Sequence, residues 1–539
     1  MFIKITKSGK YEYAYLVRSY REGNTTKHEY LFNLGRLDQI ENNPSFQRLG
    51  KRLLELSKAK NLVDLDTLSD ARIVNWGYIV YKKIWKEFDL DKLLSKLKNL
   101  GKTQFDLNTT CFLMTIQHLL DPKSKLGTCN HQDRYVNLKE VKLHHMYRSL
   151  DILCNYKEML EEEMFYKNRS LFNMQVDVVF YDVTTFYFES VKADTLRDFG
   201  FSKDGKFKEV QVVMGLLIDC EGRPIGYDLF PGNTFDSKTL DIALEKLKER
   251  FGIRKVIIVA DRGINSKINL KKIVDKKYSY VFASRLKSMK EDIKQEIFNE
   301  DGYRDLGEIR YKVIDYINKV KVDNTTYELS EKLIITYSPE RAKKDRADRE
   351  RLIEKAKSLL ENKSRIKASS KRGGKKYLKE IGSSSDSDWV LDEQAILKDQ
   401  MFDGYYGIQT NEKHLKPGEI LDIYKNLWKI EESFRIMKSS LEVRPIFHWT
   451  EPRIKGHFVI CFLAFLLERT LEFKLKKAGI SASVEKIREA LNSMNFAEVE
   501  IEKKKFFIKT RVEDPGNKIL RVLRIKPPKN VTPAEELSL

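Results

Sequence analysis

VDVVFYDVTTFYF, residues 176–188, is rich in β-branched and aromatic side chains, the composition of a strand, and Asp182 stands within it or at its end. Downstream, VQVVMGLLID (210–219) and GRPIGYDLF (222–230), joined across Asp-Cys-Glu-Gly, read as a hairpin beside that strand. A helix over 236–251 then leads to KVIIVAD (255–261), where four apolar residues precede Asp261, as in a buried parallel strand. A second helix (266–276) and the strand YSYVFAS (278–284) complete the series. Three strands, helix, strand, helix, strand predict a mixed-sheet α/β core whose first part spans 175–284.

Different patterns flank this core. Residues 1–65 alternate in short segments (FIKIT, YEYAYLV, HEYLFNLG) punctuated by Ser-Gly and Gly-Asn, predicting a β-hairpin module. Residues 70–170 take helical spacing with cations on the polar faces, predicting a helical, DNA-binding domain. Region 285–415 carries the strands YKVIDYI (311–317) and YELSEKLIITY (327–337). A charged helix opened by Ser338 and Pro339 follows, then the stretch SSKRGGKKYLKEIGSSSDSD (369–388). Residues 341–379 hold 16 Lys and Arg against 5 Asp and Glu, which is either a solvated helix face with a loop or a surface that tracks phosphates. Helices return over 417–495, and 500–539 reads as a basic hairpin around Asp514-Pro515-Gly516-Asn517 with a tail.

The totals narrow the class. A chain of 539 residues is long enough for several domains and a large core. Its 99 Lys and Arg against 79 Asp and Glu give a formal charge of +20, the footprint of a protein that binds a polyanion, although an AT-rich genome also raises lysine content. Cysteines 111, 129, 154, 220 and 461 form no Cys-x-x-Cys pair, so neither a disulfide frame nor a zinc site is implied. The apolar run FVICFLAFLL (458–467) is half the length of a membrane span and reads as a buried helix. His144 and His145 are neighbours that diverge by about 100° on a helix, a poor metal pair; His457 reads as a satisfied core residue. A cytoplasmic protein with no membrane partner is expected.

Chemistry concentrates in ILDIYKNLWKIEESFRIMKSSLEVRP (420–445). Ile420, Ile423, Leu427, Ile430, Phe434, Met437 and Leu441 recur at helical spacing as one apolar stripe. Tyr424, Glu431 and Lys438, each seven apart, share another face, joined by Arg435. Asp182 and Asp261, taken singly, could be cap or turn acids, but a carboxylate at the edge of an apolar sheet usually has a cation to hold.

Asp182, Asp261 and Glu431 in this order, with Tyr424, Glu431 and Lys438 in a Tyr-x2-Arg-x3-Glu-x6-Lys pattern, resemble the DDE insertion-sequence transposases of cut-and-paste type. The Arg position of that pattern holds Leu427, and Arg435 on the same face is the substitute. SKDGK (202–206), GNTFD (232–236), FDGYYGIQT (402–410) and RPIFHW (444–449) are similar to that group's flanking segments. The resemblance covers 175–470 well and the N-terminal modules more loosely. It implies a ribonuclease-H-like core interrupted by a β-rich insertion, in a multidomain α/β chain.

It further implies that Asp182, Asp261 and Glu431 are catalytic and hold two Mg²⁺ ions, with Mn²⁺ able to substitute. Tyr424, Arg435 and Lys438 would grip DNA phosphates. The activity implied is cleavage of the element's ends and joining of their 3′ ends to target DNA. The partners are double-stranded DNA and a second copy in a paired-end complex, in a bacterial, nucleoid-associated setting. The alternatives are an inactive DNA-binding descendant of such an enzyme and a ribonuclease-H-like nuclease or resolvase.

Overall fold

The computed structural model describes residues 1–57, 70–172, 174, 176–200, 208–253, 256–322, 324–361, 366, 373–381, 388–501 and 503–539. SKDGK (202–206) and half of the Lys/Gly/Ser-rich stretch (369–372 and 382–387) lie outside the described residues. The chain divides into two units. The first comprises Met1–Arg72, Ala497–Ile508 and Asn530–Leu537. Phe2–Ser8, Tyr11–Glu22 and Thr25–Arg36 form an antiparallel sheet in it. Ser8 pairs with Tyr11 and Glu22 with Thr25, so both turns are two residues long. Gly9 and Gly23, at φ +62° and +65°, supply the left-handed backbone such turns require. A helix, Pro44–Leu56, follows, capped by Asn43 Oδ1 accepting from the Ser45 N–H at 2.9 Å.

The second unit holds Ile73–Phe496, Lys509–Lys529 and the last two residues. Its nine-stranded sheet comprises β1 (Val178–Tyr187), β2 (Gln211–Asp219), β3 (Pro224–Pro231), β4 (Ile257–Ala260), β5 (Ser279–Ala283), β6 (Arg304–Leu306), β7 (Ile309–Val322), β8 (Thr325–Tyr337) and β9 (Tyr405–Thr410). Their spatial order is β6-β7-β8-β9-β5-β4-β1-β2-β3. β1, β2 and β3 are an antiparallel meander, whereas β4 runs parallel to both β1 and β5. The order β3-β2-β1-β4-β5 with these directions is the ribonuclease-H-like core. Helices Asp236–Glu249 and Lys267–Asp275 make the connections into β4 and β5.

The two sheet faces differ. Val179, Tyr181 and Val183 of β1 and Ile258 and Ala260 of β4 pack with Leu240, Leu244, Leu247, Leu270 and Ile273 of the connecting helices. Burying each such side chain contributes about 1.5–3 kcal/mol, which fixes the strand register. The alternate residues point to the other face, where Phe186 meets Phe458 edge to face at 5.3 Å. Phe458 belongs to the helix Glu451–Lys477, whose run from 458 to 467 is buried throughout beside helices Leu107–Leu120 and Leu143–Asn155. Among the described residues, no helix is long and apolar enough to cross a membrane.

The structure adds detail to three sequence expectations. First, the strands of region 285–415 extend the central sheet: β9 pairs antiparallel with β5, and β8 and β7 follow. The region is also as helical as it is β. Its helix Pro339–Leu360, capped by Ser338, packs Leu352, Ile353 and Ala356 onto Tyr377 and Leu378 beside the small hairpin Leu378–Ile381 with Asp388–Leu391. Second, the helix expected across 420–441 is broken into Pro417–Lys425 and Trp428–Arg435 and ends in a π-helical turn, Ile436–Ser440. At the break, Asn426 Nδ2 donates to the Asp422 carbonyl at 2.8 Å and ends the first helix. Third, Asp514-Pro515-Gly516-Asn517 opens a helix, Gly516–Val522, in place of a hairpin. Ile519, Leu520 and Leu523 recur at helical spacing and are all buried, and that burial outweighs the local turn preference.

Candidate active site

Asp182 lies inside β1 and not in a turn. Phe180 pairs with Val259 across the parallel β1–β4 ladder, so continuing the register by two residues sets Asp182 beside Asp261. Neighbouring strands lie about 4.8 Å apart, and residues of equal parity share a face. Continuing that parity places both aspartates on the face opposite the connecting helices, Asp182 in the middle of β1 and Asp261 just past the carboxyl end of β4. Asp261 starts the turn that leaves β4, with its carbonyl accepting from the Ile264 N–H at 3.2 Å. It does not cap the following helix; Ser266 Oγ does so, accepting from the Asn269 N–H at 3.2 Å. Asp182 is half-buried and Asp261 exposed.

Glu431 enters from the helix Trp428–Arg435, which packs on β1. It is exposed and in the first helical turn, where the helix dipole favours a carboxylate. Of the seven stripe residues, Ile420, Leu427, Ile430, Phe434, Met437 and Leu441 are buried, so the apolar stripe sets the rotation that turns Glu431 outward. The three carboxylates do not close into one tight set: among the described residues, only His118, His457 and Cys461 bring three metal-ligating atoms within 4.8 Å of one another.

The other expected residues diverge. Lys438 Nζ lies over the Phe186 ring at 5.6 Å, on the strand that carries Asp182. The π turn is wider than an α turn, so Lys438 lags in rotation behind the face that simple seven-residue spacing gives it. Arg435, with its side chain 73% exposed, faces Glu432 at 3.5 Å. Leu427 is buried at the helix break. Tyr424 turns toward β9, and its hydroxyl meets the Tyr406 hydroxyl at 2.7 Å. Burial raises the Tyr424 pKa far above the usual phenol value, with the Tyr406 hydroxyl contact and the Asp261 carboxylate adding to it, so the hydroxyl stays protonated as a donor.

Residues that the sequence left without a role also gather here. Arg262, next to Asp261, and Arg341, at the start of Pro339–Leu360, act electrostatically on Tyr406, and the Arg341 guanidinium lies over the Tyr406 ring at 4.4 Å. Asp236, the last residue of GNTFD, comes close to the turn after Asp261: a Cβ at Gly263 would stand 3.4 Å from its Oδ2. Nothing in local spacing signals Arg341, which lies 80 positions beyond Asp261 and is brought in by the sheet extension. His457 is satisfied in the core, as expected, with Nε2 3.0 Å from the Val443 carbonyl.

These residues offer two aspartates on adjacent parallel strands and a glutamate on a helix packed against one of them. Residues 175–467 match the transposase DDE domain, and residues 3–66 match the IS1634 family transposase N-terminal domain. The chain belongs to the insertion-sequence DDE transposases. No curated protein matches it. Among solved structures, it is similar to a piggyBac transposase in a synaptic complex with hairpin DNA. The two share 8% identity over 79% of this chain and 83% of that one, with a TM-score of 0.36.

Proposed function

We propose that the protein binds the ends of its own insertion sequence, cleaves them and joins the 3′ ends to target DNA, with Asp182, Asp261 and Glu431 holding two Mg²⁺ ions. The observation that carries this reading is the parallel register of β1 and β4, in which Phe180 opposes Val259 two residues before Asp182 and Asp261, together with the packing of the Glu431 helix on β1. The donor set suits a hard cation: all three are carboxylates, and among the described residues neither the Asp261 nor the Glu431 carboxylate has a hydrogen-bond or ion-pair partner. Bound divalent ions supply activation of the attacking oxygen and stabilisation of the leaving 3′ oxygen, and Mn²⁺ is expected to substitute.

The protein's own groups orient the DNA. Lys438 and Arg435 offer cations, and Tyr424 a protonated hydroxyl, to phosphates flanking the scissile bond. Two ends must be paired before joining, so a homodimer on DNA is part of the proposal, as is action at the bacterial nucleoid. The test is cleavage and strand transfer of DNA carrying the element's terminal repeats with Mg²⁺. Loss of both in Asp182→Ala, Asp261→Ala and Glu431→Ala is expected, and full activity in any one variant removes that residue from the assignment.

A further inference from the structure

Beside Asp261 opens a cavity of about 420 Å³, lined on one side by β9 and the turn after β4 and on the other by the helix Pro339–Leu360. Most charges in its depth are mutually satisfied. Arg349 pairs with Asp403, while Asp399 accepts from Lys287 at 2.7 Å, from Tyr377 at 2.8 Å and from Lys376. Asp345 accepts the Gly404 N–H at 3.0 Å. At the end nearest Asp261 the balance differs. Among the described residues, Arg262 has no carboxylate partner, and Arg341 reaches Asp345 only at 3.6 Å, beyond a normal hydrogen bond. Arg285 fixes the turn by donating to the Arg262 carbonyl at 2.9 Å.

We infer that Arg262 and Arg341, with the Tyr406–Tyr424 hydroxyl pair, form a binding site for a backbone phosphate of the DNA strand next to the scissile bond. The inference rests on the proposed DNA-cleaving role and assigns a phosphate grip that the Tyr-Glu-Lys helix lacks where Leu427 stands. Two guanidinium groups present planar, fork-shaped donors to phosphate oxygens. A cation–π contact, 4.4 Å from guanidinium carbon to ring centroid, holds the Arg341 head against Tyr406. In the hydroxyl pair one O–H donates to the other oxygen, and the second O–H remains to donate to the ligand. The insertion thus contributes to the site itself, through a residue distant in sequence.

The test measures binding of the full chain to a duplex bearing the terminal sequence of its element, across a salt series, for wild type, Arg262→Ala, Arg341→Ala and Arg341→Lys. Both arginines are surface-accessible, so the variants are expected to fold. Each alanine variant should flatten the slope of log K against log salt by about 0.9, the value for one lost phosphate contact. Binding at low salt should weaken about tenfold, as for one charge-assisted hydrogen-bonding partner. Arg341→Lys should restore the slope and only part of the affinity, because the charge returns without the fork. Unchanged slope and affinity in both alanine variants would overturn the inference. Glu431→Gln separates the two readings: it should abolish cleavage and leave the slope intact. Cleavage surviving in Glu431→Gln would defeat the metal-site assignment and leave the arginine result standing.

Discussion

The acids of the interior and the acids of the sheet edge are treated oppositely by this fold. Asp219, buried after β2, accepts from the Arg223 guanidinium at 2.7 and 2.8 Å and from the N–H groups of Glu221 and Arg223 at 3.0 and 2.8 Å. Glu161, buried in the helix Lys157–Phe172, accepts from Lys157 and Arg250 at 2.8 Å and from the Tyr227 N–H at 3.0 Å. Glu331 of β8 is held by Tyr280, Gln409 and Asn318. Asp261 and Glu431 are exposed and, among the described residues, receive no such donors. A structural carboxylate brings its donors with it, charged or neutral, because a bare one in the interior costs several kcal/mol. Asp261 and Glu431, two of the proposed cation ligands, are left uncommitted at the surface.

That contrast can be broken at several points. The largest effect expected is on rate: Asp261→Ala or Glu431→Ala should lower cleavage by about a thousandfold or more. Stability should shift by no more than about 0.5 kcal/mol, as at other exposed positions. Urea unfolding beside the cleavage assay checks both. Interior acids should behave in reverse. Glu161→Ala removes the buried carboxylate that Arg250, Lys157 and the Tyr227 N–H share, leaving Arg250 to Glu158 and Glu162 and Lys157 to Asp228, and should destabilise the fold by about 1–3 kcal/mol, which a shift of the urea midpoint measures.

A smaller effect belongs to the buried histidines. Burial, then the nearby Lys125 charge, lowers the His118 pKa from 6.5 to about 3. Its Nδ1 lies 2.9 Å from the Leu441 carbonyl and its Nε2 3.2 Å from Lys125 Nζ. Since the folded value lies below the unfolded one, this stability is present above pH 6.5 and is lost as pH falls from 6.5 toward 3. At pH 5, about 1.5 units below the unfolded value, the loss is about 2 kcal/mol. A His118→Gln variant should show a flatter acid limb in denaturation curves recorded between pH 7 and pH 5. An unchanged limb would mean that His118 is not buried neutral.

How much of this was legible in sequence follows from the range of each signal. The helix stripe from Ile420 to Leu441 identified the buried side of the Glu431 segment, because period and burial are local properties. The break at Asn426 and the π turn were not legible, since both leave the spacing of apolar residues nearly unchanged. Arg435 was the natural candidate on helical geometry, yet it faces Glu432, whereas Arg262 and Arg341 stand beside Tyr406 and Tyr424.

The sequence by itself determined the alternation of strands and helices and the amphipathic helix carrying Glu431. Each is written in periodicity and in the cost of leaving apolar surface in water. Only the tertiary structure decided that the strand holding Asp182 pairs in parallel with the strand that leads into Asp261. Parallel pairing between strands some eighty residues apart depends on long-range burial, on one face against the connecting helices and on the other against Phe458. The same holds for the insertion: β9 docks on β5 and carries Tyr406 to Tyr424, and no local spacing encodes that contact.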